Sequence, residues 1–287
     1  MKMSKYTRRD FERDFPDDAA CLDWIVSVRY PDGIKCPVCR RVTKHYRVIK
    51  RMSYACGRCG HHVHPMVGTP YAKSRTPLKT WFLAVYLMSS TRTGVSAKWL
   101  ERSVGVTYKT AWRMFNRIRP MLSEGGLAPL RGMVEVDETY MGGKWHGRGR
   151  GSKGKAVVVG LYQRGGSIVA KVVPDVKLRT IQPIVQKYVE KGSAVFTDEL
   201  MTYHRLNQRG YLHMAVNHRA KKWVVEGIAH VNNIEGFWGN MKRGIDGAHH
   251  MISPKYLQTY VDEWAFRFNH RRDEMPMFWT MLSRVSA

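Results

Sequence analysis

Acidic residues are scarce in this 287-residue chain: 23 Asp and Glu stand against 48 Lys and Arg, a formal net charge of +25. That excess is larger than solubility requires and predicts a polyanionic partner, because Lys and Arg release counterions from a phosphate backbone. Long apolar runs are missing as well. The longest, such as 81–88 and 156–162, fall short of the ~20 residues that span a bilayer, so no membrane partner is expected. The first nine residues, Met1 to Arg9, lack the apolar centre of a secretory signal. Hydrophobic residues nevertheless make up 44% of the chain, too many for a disordered basic tail. A folded, cytoplasmic protein of two or three small domains is the expectation.

Cysteine is also sparse, and four of the five are paired as Cys36-Pro-Val-Cys39 and Cys56-Gly-Arg-Cys59. Each CxxC is a knuckle that aims two sulfurs at one point, and two knuckles joined by a hairpin complete a tetrahedral four-cysteine zinc site. Residues 42–55 have the loose apolar–basic alternation of that hairpin. A reducing cytosol and the paired spacing argue against a redox motif or disulfides. Four thiolates close the coordination shell, so one structural Zn²⁺ is expected. Cys21, on an apolar helical stripe with Leu22, Ile25 and Val28, reads as a small core residue. His61, His62 and His64 are surplus to that shell.

Leu78, Trp81, Phe82, Val85 and Met88 recur at helical spacing. A second helix follows Ser96, a glycine-bearing turn surrounds Gly105, and Thr107 caps a basic helix running to Arg119. The arrangement fits a helix-turn-helix whose Lys109, Arg113 and Arg117 face DNA. An ordinary helical core is the plainer alternative. Residues 120–129, rich in proline and glycine, read as a linker.

From residue 131 the period shortens to that of strands. Runs 133–140, 156–163 and 167–174 read as a three-strand meander, followed by a helix over 180–188, a strand at 194–197 and another at 213–217. Thr180 is the expected cap of that helix. With a helix on which Ile234, Phe237, Trp238, Met241 and Ile245 form a buried stripe, and a last one after Ser253-Pro254, the order is that of an RNase H-like domain. The fold class is therefore multidomain α+β: a helix and zinc ribbon over 1–70, a helical DNA-binding segment over 71–124, and a mixed α/β catalytic domain over 130–287.

Since acids are few, their places are informative. Asp137 is read at the end of the first strand of the meander, Asp198 follows the strand 194–197, and Glu235 sits on the helix after Asn232 and Asn233. Convergence of the three would give the all-oxygen site that Mg²⁺ prefers. Two such ions, which Mn²⁺ can replace, activate a nucleophile and stabilise a leaving oxygen at a phosphodiester. Each acid taken singly is by default a surface charge. Glu138 and Glu199 adjoin the aspartates; strand alternation predicts that Glu138 turns away. Glu135 is in phase with Asp137. His218 and His230 flank the loop before the helix. The glycine-rich loop bearing Lys144, Arg148, Arg150, Lys153 and Lys155 contains no acid and reads as phosphate-binding.

The two CxxC knuckles, the run Val136-Asp-Glu-Thr-Tyr-Met-Gly-Gly-Lys144, the run Asn232-Asn-Ile-Glu-Gly-Phe-Trp238 and the segment Tyr260 to Arg271 together resemble bacterial insertion-sequence transposases of the DDE superfamily. The resemblance implies that Asp137, Asp198 and Glu235 are the metal-binding triad. It further implies that Lys242, beside Arg243 and on the face of Glu235, contacts DNA near the reacting phosphate. The implied enzyme binds the ends of its element, hydrolyses phosphodiesters there and joins the 3′-hydroxyl to target DNA. Bringing two inverted-repeat ends together implies a homodimer or larger assembly. A nuclease without strand transfer and a zinc-ribbon regulator are the alternatives; an intact triad speaks against the second.

Overall fold

The computed structural model describes residues 6–123, 126–142, 155–198, 206–215, 231–249 and 251–284. The chain divides into two compact units, residues 1–121 with 272–287, and residues 122–271.

In the first unit, α1 (Arg8–Asp14) opens on a reciprocal cap: Thr7 accepts from the Asp10 amide, and the Asp10 carboxylate accepts from the Thr7 amide. Helix α2 (Asp18–Arg29) buries Cys21, Leu22 and Ile25, and burial pushes the Cys21 thiol well up, which leaves it an inert core residue. Strands β1 (His45–Val48) and β2 (Ser53–Cys56) form the expected hairpin, and β3 (His62–Val63) adds a third strand. All five residues of the stripe expected near 78–88 are buried in α3 (Leu78–Ser90). Ser96 caps α4 (Ala97–Val104) and Thr107 caps α5 (Tyr108–Ile118). Between them Gly105 closes α4 at φ +69°, in the left-handed region that favours glycine.

The second unit is a five-stranded sheet between helices. Strands β4 (Met133–Met141), β5 (Ala156–Gln163) and β6 (Ile168–Val173) form the antiparallel meander. After α6 (Leu178–Tyr188), β7 (Ala194–Thr197) pairs parallel to β4, and β8 (Leu212–Ala215) pairs parallel to β7. The order β6-β5-β4-β7-β8 is the RNase H-like arrangement expected. Helices α7 (Asn232–His249) and α8 (Leu257–Asn269) cover one face of the sheet and α6 the other. Interior strand β5 is buried without a break from Val157 to Tyr162, as a strand covered on both faces must be.

Two details differ from expectation. Helix α6 begins before Thr180, which lies in its first turn and donates to Asp175 Oδ1 at 2.6 Å. A further helix, α9 (Met277–Ser283), follows the one expected to be last and belongs to the first unit, not to the domain expected over 130–287. Its Phe278 stacks on Tyr6 at 4.8 Å and meets Phe11 and Phe15 edge-on, so an aromatic core draws the chain end back. No described helix is long and apolar enough to cross a membrane.

Candidate active site

Strand alternation assembles the site. On β4, Val134 and Val136 join the core beneath α6, which sends Glu135 and Asp137 to the α7 face. The same alternation on β7 buries Val195 under α6 and Phe196 under α7, so Asp198 follows Phe196 to the α7 side. Parallel pairing of Val136 with Thr197 then sets Asp137 and Asp198 next to each other. Thr197 Oγ1 donates to the Asp198 carbonyl at 2.8 Å and bonds with His213 Nε2 at 2.9 Å, which ties the end of β7 to β8.

One oxygen from each of Asp137, Glu138 and Asp198 lies within 4.8 Å of the others. Inclusion of Glu138 corrects the expectation from alternation. A glutamate has enough rotatable bonds to reach round a strand edge, and the pairing of β4 with β7 stops one residue short of Asp137. Glu235 is outside this trio, in the exposed first turn of α7, yet its charge reaches Asp137. Burial foremost, then the charges of Glu138, Asp198 and Glu235, push the Asp137 carboxyl up to about 7.

Helix α7 buries Ile234, Phe237, Trp238, Met241 and Ile245, the stripe expected of it. Trp238 is core, and it does more: its Nε1 donates to Asp137 Oδ2 at 3.1 Å. That contact carries no sequence signal beyond phase, since Trp238 reads as one more apolar position. Lys242 is half-buried on the same helix. Burial lowers its pKa, the nearby Lys155 adds to that, and Asp137 and Asp246 oppose it, which places its ammonium in the field of the acid cluster. Arg243 is exposed and donates to Asn240 at 2.7 Å. On α8, Arg267 is buried against Glu263 at 2.6 Å. Lys144, Arg148, Arg150, Lys153, Glu199, His218 and His230 lie outside the described residues.

The helical segment also departs from expectation. Arg113 donates to Ser74 Oγ at 3.0 Å, and Arg117 donates to the Pro70 and Ala72 carbonyls at 3.1 and 2.7 Å. Both are half-buried and hold the 70–74 loop. The residues that α5 leaves exposed are Tyr108 and Lys109 at its start.

In the ribbon, Cys36, Cys39, Cys56 and Cys59 offer sulfurs all within 4.8 Å, with Cys36–Cys59 at 3.6 Å and Cys39–Cys56 at 3.9 Å. A tetrahedron of Zn–S bonds near 2.3 Å has edges of about 3.8 Å, so the four sulfurs fit zinc, and none is in a disulfide. Hydrogen bonds from Thr43 and from the Arg58 and Cys59 amides hold the Cys56 thiol down at about 5. Cys39 is pushed up to about 12, first by its contact with Cys59.

Residues 129–269 match the ISXO2-like transposase domain, and residues 16–62 match the transposase zinc-ribbon domain. A protein described as "Uncharacterized protein in transposable element ISH50" of Halobacterium salinarum is 27% identical over 89% of this chain and 92% of its own length. An "Uncharacterized transposase-like protein" of Haemophilus influenzae is 30% identical over 34% of this chain and 78% of its own. Among solved structures, a pre-cleavage Mos1 transpososome is matched at 11% identity and a TM-score of 0.29, over 67% of this chain and 72% of that one. With both its ribbon and its sheet domain matched to transposase families, the chain belongs to the insertion-sequence transposases of the DDE superfamily.

Proposed function

We propose that this transposase binds the ends of its element, cleaves there and joins the freed 3′-hydroxyl to target DNA at a site made by Asp137, Asp198 and Glu235. The observation that carries the reading is the closeness of Asp137, on β4, and Asp198, just past the end of β7, beneath the helix whose first turn bears Glu235. An all-oxygen cluster within 4.8 Å fits hard divalent cations, and crowded carboxylates are disfavoured without one. Asp137, Asp198 and Glu235 would hold two Mg²⁺, with Glu138 at hand. Such ions, when bound, supply Lewis acidity toward the phosphate and lower the pKa of the attacking hydroxyl.

The protein's own groups supply placement. Trp238 fixes the Asp137 carboxylate, and Lys242 sets a cation beside it where a DNA phosphate would come. Lys155, with Lys144, Arg148, Arg150 and Lys153 before it in sequence, would contact phosphates, as would Arg243. Tyr108 and Lys109 are the α5 residues best placed to meet base edges, with Arg113 and Arg117 supporting the helix. Joining exchanges one P–O bond for another, so it needs no energy-rich cosubstrate. The four cysteines of the ribbon would hold one structural Zn²⁺. Assembly of two element ends requires at least two copies of the chain.

The test is to incubate the full chain and Mg²⁺ with DNA carrying the element's own flanks, then sequence the products. Element ends joined to new DNA are expected. Cut ends alone would make the chain a nuclease, and intact DNA would leave it a DNA-binding protein.

A further inference from the structure

Glu135 is fully buried two residues before Asp137. A carboxylate loses several kcal/mol of hydration on burial unless hydrogen bonds and a counter-charge replace it. Here four donors do so. The amides of Asn233 and Ile234 donate to Oε2 at 3.1 and 3.0 Å, while Asn233 Nδ2 and Arg164 Nε donate to Oε1 at 2.7 and 2.8 Å.

These donors come from the elements that matter. The two amides belong to the first turn of α7, where no intrahelical acceptor exists, and the helix dipole favours a negative charge. A cap normally comes from the residue just before a helix. This one comes from a strand of the catalytic sheet, and the residue that follows Ile234 is Glu235. Arg164 in turn lies over the Phe196 ring, 4.4 Å from its centre, two residues before Asp198. One side chain is therefore tied to the elements bearing each of the three acids.

We propose that Glu135 is the positioning residue of the site: it sets the start of α7, and so Glu235, against Asp137 and Asp198. The inference rests on reading those three acids as the metal site. Glu135 itself holds neither metal nor DNA.

Glu135→Gln keeps the shape but turns an amide nitrogen toward donors. The full chain is compared by Mn²⁺ titration, by hydrogen exchange and by strand joining at saturating DNA. Expected are DNA affinity within twofold of the parent and Mn²⁺ affinity lower by ~10–100-fold, the usual effect of losing a ligand's supporting partner. Exchange should quicken at least tenfold in residues 231–238 and stay unchanged in 241–249. Joining should recover as Mn²⁺ is raised, a shift in metal requirement that a merely structural loss would not give. Should Glu135→Gln fail to fold, Asn233→Ala, at an exposed position, should move both readouts the same way by about threefold or more. Mn²⁺ affinity and first-turn exchange both within twofold of the parent would overturn the proposal. A parent chain that joins no DNA would overturn the reading of function instead, leaving exchange and Mn²⁺ affinity to decide the role of Glu135.

Discussion

The indole of Trp238 donates to Asp137 Oδ2 at 3.1 Å while its ring rests on Gly160, the β5 residue paired with Asp137. A β-carbon at Gly160 would come within 2.5 Å of that ring and 2.9 Å of Ile234. Glycine is therefore required there by the close approach of α7 to the sheet. Gly160→Ala should cost ~1–3 kcal/mol by overpacking, read by urea denaturation. Trp238→Phe keeps an aromatic ring in the core but removes the donor together with the Cζ2 and Cη2 atoms that rest on Gly160. A hydrogen bond to a charged group is worth ~1.5–3 kcal/mol, so joining should slow by roughly 10–100-fold while DNA binding persists. An unchanged rate in Trp238→Phe would show that the indole only fills space.

The raised Asp137 carboxyl has a consequence for stability. Its ordinary value of 3.8 applies to the unfolded chain, whereas the folded metal-free protein keeps the proton up to about 7. The folded state binds more protons between those values, so this group makes stability fall as pH rises from about 4 to about 7. Asp137→Asn removes the effect and leaves an oxygen for Trp238. Without Mg²⁺, the variant's melting temperature should exceed the parent's by more at pH 8 than at pH 5. An advantage independent of pH would contradict this.

One zinc per chain should be found by elemental analysis. Cys36→Ser/Cys56→Ser should lose it together with the fold of the ribbon, because metal binding at such sites contributes on the order of 10 kcal/mol to folding. Cys21→Ser should keep the zinc, since that thiol is buried in the α2 core.

Substitutions on α5 should sort by where their side chains go. Tyr108→Ala and Lys109→Ala leave the core alone and should reduce preference for element ends over random DNA, by ~1–3 kcal/mol where a base contact is lost. Arg117→Ala should instead lower thermal stability, since its guanidinium holds the Pro70 and Ala72 carbonyls. Competition binding with specific and random duplexes, alongside melting curves, separates the two effects. Equal loss on both duplexes from Tyr108→Ala would remove α5 as the reader.

Period and spacing made much of this molecule legible. The two CxxC pairs marked the ribbon, the stripe from Leu78 to Met88 marked α3, and the valine runs marked the meander. Asp137, Asp198 and Glu235 stood out because acids are rare. What escaped depends on long-range contact. Nothing local shows that Arg113 and Arg117 turn inward to the 70–74 loop, or that Glu263 buries Arg267. The return of α9 to the first unit rests on aromatic packing between the two ends of the chain. Glu138 misled because alternation fixes the Cβ direction, not where a long side chain ends.

The central claim is that Asp137, Asp198 and Glu235 act together in the chemistry and not in DNA binding. Its most direct measurement is single-turnover strand joining from pre-cleaved element ends, in Mg²⁺ and at saturating protein, by Asp137→Ala, Asp198→Ala and Glu235→Ala. Each variant should bind the ends within a few-fold of the parent and join them at least ~1,000-fold more slowly, a loss of ~4 kcal/mol of transition-state stabilisation. Joining by Glu235→Ala at near the parent rate would contradict the account and move the third ligand elsewhere, with Glu138, already within 4.8 Å of both aspartates, the first to be tested.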